Sequence, residues 1–309
     1  MTLHLSEDDV AALLPPAEAV DAIEACFRRM AAGAVENRPR YRLGLDAGAL
    51  AVMAASDLEL GYAGAKVYAG FRSGARFEVL LFRTDVPELV AVIDADKLGQ
   101  LRTGAASGVA ARHLARAGAT TLGVIGCGWQ ADSQVACIRS AVPGIEHVVA
   151  YCRTEASLHE FCERNGAEPG ESAQDAAQCD VVVTVTGSSS PVLRGEWLRE
   201  GAVVCAVGAN DGRRRELDNN VLARASFVCC DSVENAKLES GDLIGPIESG
   251  VLDWLEVYEL EDVVAGSLRG RESDDDIVVF KSNGLAAWDV AAAAAVVARA
   301  HERGVGREL

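Results

Sequence analysis

The chain has no hydrophobic run long enough to span a bilayer, which takes about 18 to 20 apolar residues; its longest, Val290 to Ala298, is mostly alanine. It has no excess of basic charge either. The formal net charge is −17 and the pI about 4.7, which speaks against nonspecific binding to nucleic acid or to an anionic membrane. A local cationic site for a small anion stays open. Histidine is scarce, with five residues in 309, and the nine cysteines contain no C-x-x-C pair. They are odd in number, irregularly spaced and set in apolar surroundings. That predicts reduced, buried thiols in a cytoplasmic protein rather than disulfides, and no metal site. The first residues, MTLHLSEDDV, lack the basic-then-apolar pattern of a secretory signal. Repeats, linkers and low-complexity blocks are missing too, apart from the acidic loop ESDDD at 272–276.

What is present is ample hydrophobic material, half of all residues, in a chain of two-domain length. The N-terminus reads as helix, with Ser6 capping EDDVAALL and Asp9 in the capping-box position. Pro15 and Pro16 open a second helix that Gly33 stops. From about Arg40 to Asp94 the pieces ALAVMAA, GAKVYAG, RFEVLLF and ELVAVID predict a mostly antiparallel sheet. A helix follows from Lys97 to Ala117. After it, apolar strands (TLGVIG, HVVAYC, VVVTVTG, AVVCAVG, SFVCCDS, IVVFKSNG) alternate with helices, including one from Thr154 as N-cap to Gly166 as stop. That pattern predicts an α/β unit with a parallel sheet covered on both faces. A long helix, LAAWDVAAAAAVVARAHERG, closes the chain.

The stretch LGVIGCGWQA, Leu122 to Ala131, carries G-x-G-x-x-A between a strand and a helix. The spacing alone also fits a bare strand–helix turn. Inside a βαβ unit it predicts a dinucleotide site: Gly126 for the turn, Gly128 for approach to the pyrophosphate, Ala131 for close packing. About 20 residues on, an NAD site usually carries an acid for the ribose 2′-hydroxyl. Here the strand ends in Arg153 and Thr154. A guanidinium grips a phosphate in bidentate fashion, so NADP(H) is the expected cofactor, with NAD(H) possible because Glu155 follows. The plainer alternative makes Arg153 a solvated loop residue and Thr154 only a cap.

GAKVY, LRTGAASG, GVIGCGWQA, VTVTGSSSPVL, VGANDGRRRELD and KSNGLAAWD occur in this order. In this the chain resembles the ornithine cyclodeaminase/mu-crystallin family along nearly its whole length. The resemblance implies a Rossmann-type doubly wound parallel sheet, residues 113–287. It also implies a second, α+β domain for substrate binding and dimerisation, residues 1–112 with 288–309. It implies a nicotinamide cofactor, a small imino or amino acid substrate and a homodimer. By the same resemblance Arg40 binds the substrate carboxylate, Lys66 is catalytic, and Arg102 lies between substrate and cofactor. Trp129 and Gln130 lie beside the pyrophosphate. Thr186, Val207, Arg214 and Ser282 contact the cofactor, and Asn283 lies near the substrate. Mu-crystallin-like members, with Asn-Arg-Thr where this chain has Cys152-Arg153-Thr154, prefer NADPH.

The chain departs from the family at Asn210. Cyclodeaminases carry an aspartate in a G-G-D motif where this chain reads Gly208-Ala209-Asn210, and an amide cannot serve as acid or base. The preferred expectation is therefore an NAD(P)H-dependent reductase or dehydrogenase of a small 2-imino or amino acid. Arg40 and Arg102 would grip the carboxylate, Lys66 would polarise the substrate or give a proton, and Asn210 would orient substrate or water. A cyclodeaminase forming proline and ammonia with recycled NAD is the alternative, and a noncatalytic NADPH-binding protein the next. Plainer readings remain for Lys66 as a solvated strand residue, for Arg40 in a segment crowded with arginines at 38, 40 and 42, and for Lys281 as a structural residue.

Overall fold

The computed structural model describes residues 2–309. In chain order the elements are β1 (Leu3–Leu5), α1 (Glu7–Leu13), α2 (Pro16–Ala31), β2 (Val35–Asn37), β3 (Tyr41–Leu45), β4 (Gly48–Asp57), β5 (Tyr62–Phe71), β6 (Gly74–Arg83), β7 (Leu89–Asp94) and α3 (Asp96–Leu114). Then come β8 (Thr121–Ile125), α4 (Trp129–Ala141), β9 (His147–Tyr151), α5 (Glu155–Asn165), β10 (Glu168–Pro169), α6 (Ala173–Ala177), β11 (Val181–Thr184), β12 (Val203–Ala206), α7 (Asn219–Arg224), β13 (Phe227–Cys230), α8 (Val233–Glu239), α9 (Gly241–Glu248), β14 (Val257–Glu259), α10 (Leu260–Val264), β15 (Val278–Lys281), α11 (Ala286–Arg303) and β16 (Arg307–Glu308).

The chain forms two compact units, residues 1–102 with 285–309, and residues 103–284. The expected bounds are 112/113, near the end of α3, and 287/288, near the start of α11. The division falls earlier in α3, whose later residues belong to the second unit: the Ser107 carbonyl accepts from Cys205 Sγ, and Gly104 lies against Ser133.

The first unit holds an eight-stranded sheet in the order β16-β1-β7-β6-β5-β4-β2, with β3 paired to β4. From β4 to β7 every pairing is antiparallel, as the alternating pattern predicts. Ser6 caps α1 and makes the expected capping box with Asp9. Strand β1 lies where the sequence reads as the approach to a helix; it pairs with β7 and β16, residues far along the chain that no local pattern reveals. Helix α11 lies against β4, β5 and β6. Trp288 and Phe27, both fully buried, meet edge-on at 5.4 Å, and burying such side chains contributes roughly 1.5–3 kcal/mol each.

The second unit is a parallel sheet in the order β10-β9-β8-β11-β12-β15-β13-β14. The chain starts in the middle at β8, runs outward through β9 and β10, and returns to β11 on the other side of β8. That reversal after the first strand is the switch point at which doubly wound sheets bind ligands. Valines fill the centre, with Val182, Val204 and Val279 in one cluster with Leu217 and Leu243. All nine cysteines are free thiols, and all except Cys127 and Cys152 are buried.

Candidate active site

Lys66 faces inward from β5, opposite Met53 of β4 and Val79 of β6. Strand periodicity puts Gly64 on the same face, and a Cβ there would meet Val290 of α11 at 3.1 Å. The face carrying Lys66 is therefore the one that α11 covers, and the lysine is only 4% exposed. A solvated strand residue it is not. Its Nζ donates to Asp289 Oδ1 at 3.1 Å, and Arg102 Nε of α3 donates to the same oxygen at 3.0 Å. The ammonium also lies 5.4 Å from the Phe77 ring centre. A Cβ added to Gly99, in the first turn of α3, would stand 2.7 Å from Lys66 Nζ, so a larger residue there would displace the ammonium.

Burial lowers the pKa of Lys66 from 10.5 to about 8. Asp289 opposes that shift, while Arg102 and Arg40 add to it. Burial pushes Asp289 upward, but Arg102 and Lys66 outweigh it and hold the carboxyl below its ordinary value. Arg40, half-buried ahead of β3, donates from Nε to Met53 Sδ at 3.3 Å. The first unit thus brings Lys66, Arg102 and Arg40 together, as the motifs imply. Sequence reading missed their shared counter-ion. Asp289 sits inside the quoted KSNGLAAWD, and an acid amid an alanine-rich apolar helix is the signal that marks it.

In the second unit the glycine loop follows β8 as expected. Gly126 has φ +112°, where a side chain is strained, and a Cβ there would come within 2.5 Å of the Val185 carbonyl oxygen. Gly128 is the N-cap of α4, without a side-chain cap, and a Cβ on it would enter open space. Gln130 Oε1 is buried and has no hydrogen-bond partner. An uncapped helix N-terminus and open space at Gly128 fit a diphosphate held on α4. Trp129 is half exposed beside them. Arg153 and Thr154 are exposed at the end of β9, and Thr154 is the N-cap of α5 but makes no capping hydrogen bond.

The remaining cofactor candidates lie at the carboxyl ends of β11, β12 and β15, held by buried charges. Glu216 accepts from Thr186 N (2.6 Å) and Oγ1 (2.8 Å), Thr184 Oγ1 (3.1 Å) and Gly208 N (2.7 Å). Asp231 Oδ2 accepts from Ser282 Oγ (3.2 Å), Asn283 N (2.7 Å) and Gly284 N (2.6 Å). Burial raises the pKa of both carboxyls, and these donors act against that rise. Lys281, fully buried, donates to the carbonyls of Ala206, Ala209 and Ser282 and pairs with Asp242 at 3.2 Å. It is the structural residue its plainer reading makes it. Val207 donates its N–H to the Thr184 carbonyl at 2.9 Å. Arg214 is exposed, and Asn210 is half-buried in the loop after β12. Its neighbour Asp211 is bound by Arg213 at 2.8 Å. Glu216 sits inside the quoted VGANDGRRRELD, whereas Asp231 and Asp242 lie in none of the quoted motifs and show themselves through partners up to 53 residues away.

The sequence matches the profile of the ornithine cyclodeaminase/mu-crystallin family over residues 2–304. Alanine dehydrogenase of Archaeoglobus fulgidus is 37% identical over 320 residues, covering 100% of this chain and 98% of its own length. Among solved structures, Δ1-pyrroline-2-carboxylate reductase of Thermococcus litoralis, in complex with NADH and L-proline, superposes with a TM-score of 0.94 at 29% identity, covering 99% of this chain and 100% of that one. An archaeal alanine dehydrogenase dimer with bound NAD gives 0.93 at 35% identity, covering 100% and 98%. With a buried lysine and arginine in one unit, a glycine loop at the switch point of the other, and full-length likeness in both sequence and fold, the chain belongs to the ornithine cyclodeaminase/mu-crystallin family.

Proposed function

We propose that the protein is an NAD(P)H-dependent reductase or dehydrogenase of a small 2-imino or amino acid, such as Δ1-pyrroline-2-carboxylate or the alanine–pyruvate pair. The observation that carries this is the buried pair of cations, Lys66 and Arg102, held by one carboxylate. When bound, the nicotinamide supplies hydride to the carbon of the C=N bond. The chain's own residues do the rest. Arg102 and Arg40 bind the substrate carboxylate, and burial strengthens that attraction. Lys66, with a pKa of about 8, is largely protonated at neutral pH yet parts with its proton far more easily than a surface lysine, which suits it to protonate the amine nitrogen. Asn210 orients substrate or water. The cyclodeaminase alternative lacks its acid at that position, and Asp211 is committed to Arg213.

The finer cofactor reading is NADPH over NADH. Arg153 is exposed at the strand end where an acid would select NAD, and Thr154 is not spent on capping α5. The protein's place is the cytoplasm, where nine free thiols stay reduced. Among the described residues no helix is long and apolar enough to cross a membrane. A homodimer forms through the sheet of the first unit. Tyr41, Leu43, Leu45, Phe71 and Phe82 are exposed there, and Phe82 also lines a hollow of about 360 Å³ with four alanines, Ser56, Glu36 and Arg38; exposed apolar patches mark association surfaces. A dinucleotide-oxidation screen with NADPH and NADH against Δ1-pyrroline-2-carboxylate, pyruvate plus ammonia, and ornithine tests the assignment. Oxidation with an imino acid is expected, and no proline from ornithine; robust proline formation would overturn it.

A further inference from the structure

Most buried carboxylates in this molecule are saturated by donors. Asp180, for example, accepts from Arg116, Arg199, the Thr120 and Thr121 amides and the Thr121 hydroxyl. Asp289 differs. One oxygen, Oδ1, takes both Lys66 and Arg102, while Oδ2 is buried without a hydrogen-bond partner. The charged groups that face Lys66 are Asp289 from α11, Arg102 from α3 and Arg40 from the segment before β3; β6 contributes the uncharged Phe77. Two of these cations, Lys66 and Arg102, thus share one oxygen of a single carboxylate. It lies in the first turn of α11, where the helix dipole favours negative charge. Lys66, Arg102 and Asp289 are each at most 6% exposed, so water screens their mutual forces weakly.

We propose that Asp289 is the positioning residue of this site: through Oδ1 it aims Lys66 and Arg102 side by side, and its charge governs how readily Lys66 releases its proton. The proposal deepens the functional reading above and rests on it only for what Lys66 does in turnover. Two carbon-chain cations would otherwise repel each other and swing apart. A shared acceptor keeps both nitrogens within hydrogen-bond reach of one point while leaving the cluster a net positive charge for a substrate carboxylate. Asp289→Asn keeps the shape and removes the charge, so Lys66 should become a weaker base. Arg102→Gln removes the competing cation and leaves Oδ1 to Lys66 alone, so Lys66 should become a stronger one.

The chain holds only four lysines, at 66, 97, 237 and 281, so each can be followed by NMR of protein labelled with [ε-13C]lysine, the Lys66 signal being assigned by its loss in Lys66→Met. Asp289→Asn is expected to move the Lys66 titration to lower pH by about one unit or more. Arg102→Gln is expected to move it upward, with Lys237 unmoved in both. If Asp289→Asn does not fold, the upward shift in Arg102→Gln carries the test. A Lys66 titration that stays in place in a folded variant, or moves in the opposite direction, overturns the proposal. Shifts as expected in a protein that oxidises no dinucleotide with any imino acid would uphold the positioning role and overturn the functional reading.

Discussion

Each unit buries a knot of charge, and the two knots are built on opposite principles. In residues 103–284, Lys281 donates to three backbone carbonyls, and Glu216 and Asp231 take up amides from the loops after β11, β12 and β15. Those charges are spent on holding backbone in place. In the other unit, Lys66 and Arg102 share a single oxygen of Asp289, and Arg40 adds a further positive charge near the lysine. Burial alone does not make a charge functional, because both knots are almost fully buried. The telling difference is the account of partners. A charge saturated by backbone is scaffold, and cations crowded on too few acceptors are prepared for an incoming anion.

Removing a cation from each knot puts that contrast to the test. Lys66→Ala should cut turnover on the order of 10²- to 10⁴-fold, the range of a lost acid–base group. Dinucleotide binding, followed by fluorescence, should stay near its native value, since Lys66 lies outside residues 103–284. Loss of dinucleotide binding in a folded variant would show that the lysine has been misplaced. Lys281→Met should do the reverse. It strands Asp242 as a buried uncompensated charge and should cost roughly 3–5 kcal/mol of stability in urea unfolding. A native-like midpoint there would mean that the second knot is not scaffold.

Smaller effects sharpen the picture within each unit. Arg153→Ala should weaken NADPH binding roughly tenfold or more while sparing NADH, the size of a lost charge-assisted hydrogen bond. Equal losses for both cofactors would remove the 2′-phosphate role. For Lys66 the sign follows from its lowered pKa. The protonated amine is the donor, so kcat/KM for imine reduction should hold below pH 8 and decline as pH rises through about 8. A profile flat from pH 7 to pH 10 would exclude Lys66 as the proton source.

The sequence made legible whatever is local. The Ser6–Asp9 capping box, the alternation in β4 to β7 and the glycine turn after β8 each depend on residues a few places apart. Motif resemblance singles out Lys66, Arg102 and Gly126; the structure buries the first two against Asp289 and gives Gly126 a left-handed turn after β8. What escaped was set by distance along the chain. Asp289 meets Lys66 across 223 residues and Arg102 across 187, and strand β1 exists because β7 and β16 flank it. An acid in a helix or three apolar residues before one have no local pattern to announce such partners. The unit boundary inside α3 escaped for a related reason, since a continuous helix carries no break in its residue pattern.

The way α11 completes the first unit also bears on how the protein is made. Residues 1–102 leave the ribosome with the sheet face at Gly64 and Lys66 uncovered, because its cover, together with Asp289 and Trp288, is encoded only after the whole second unit, residues 103–284. The parallel sheet waits as well: β15 is the last of its strands to be synthesised, yet it fits between β12 and β13. Residues 103–284 cannot complete their sheet before β15 is made, and residues 1–102 cannot close before Leu285 and its successors emerge, as expected for a topology of long-range pairings. A premature stop before Leu285 would therefore not release a smaller enzyme. It would release an exposed apolar sheet whose Lys66 has lost its counter-ion, a substrate for chaperones and proteases rather than for chemistry.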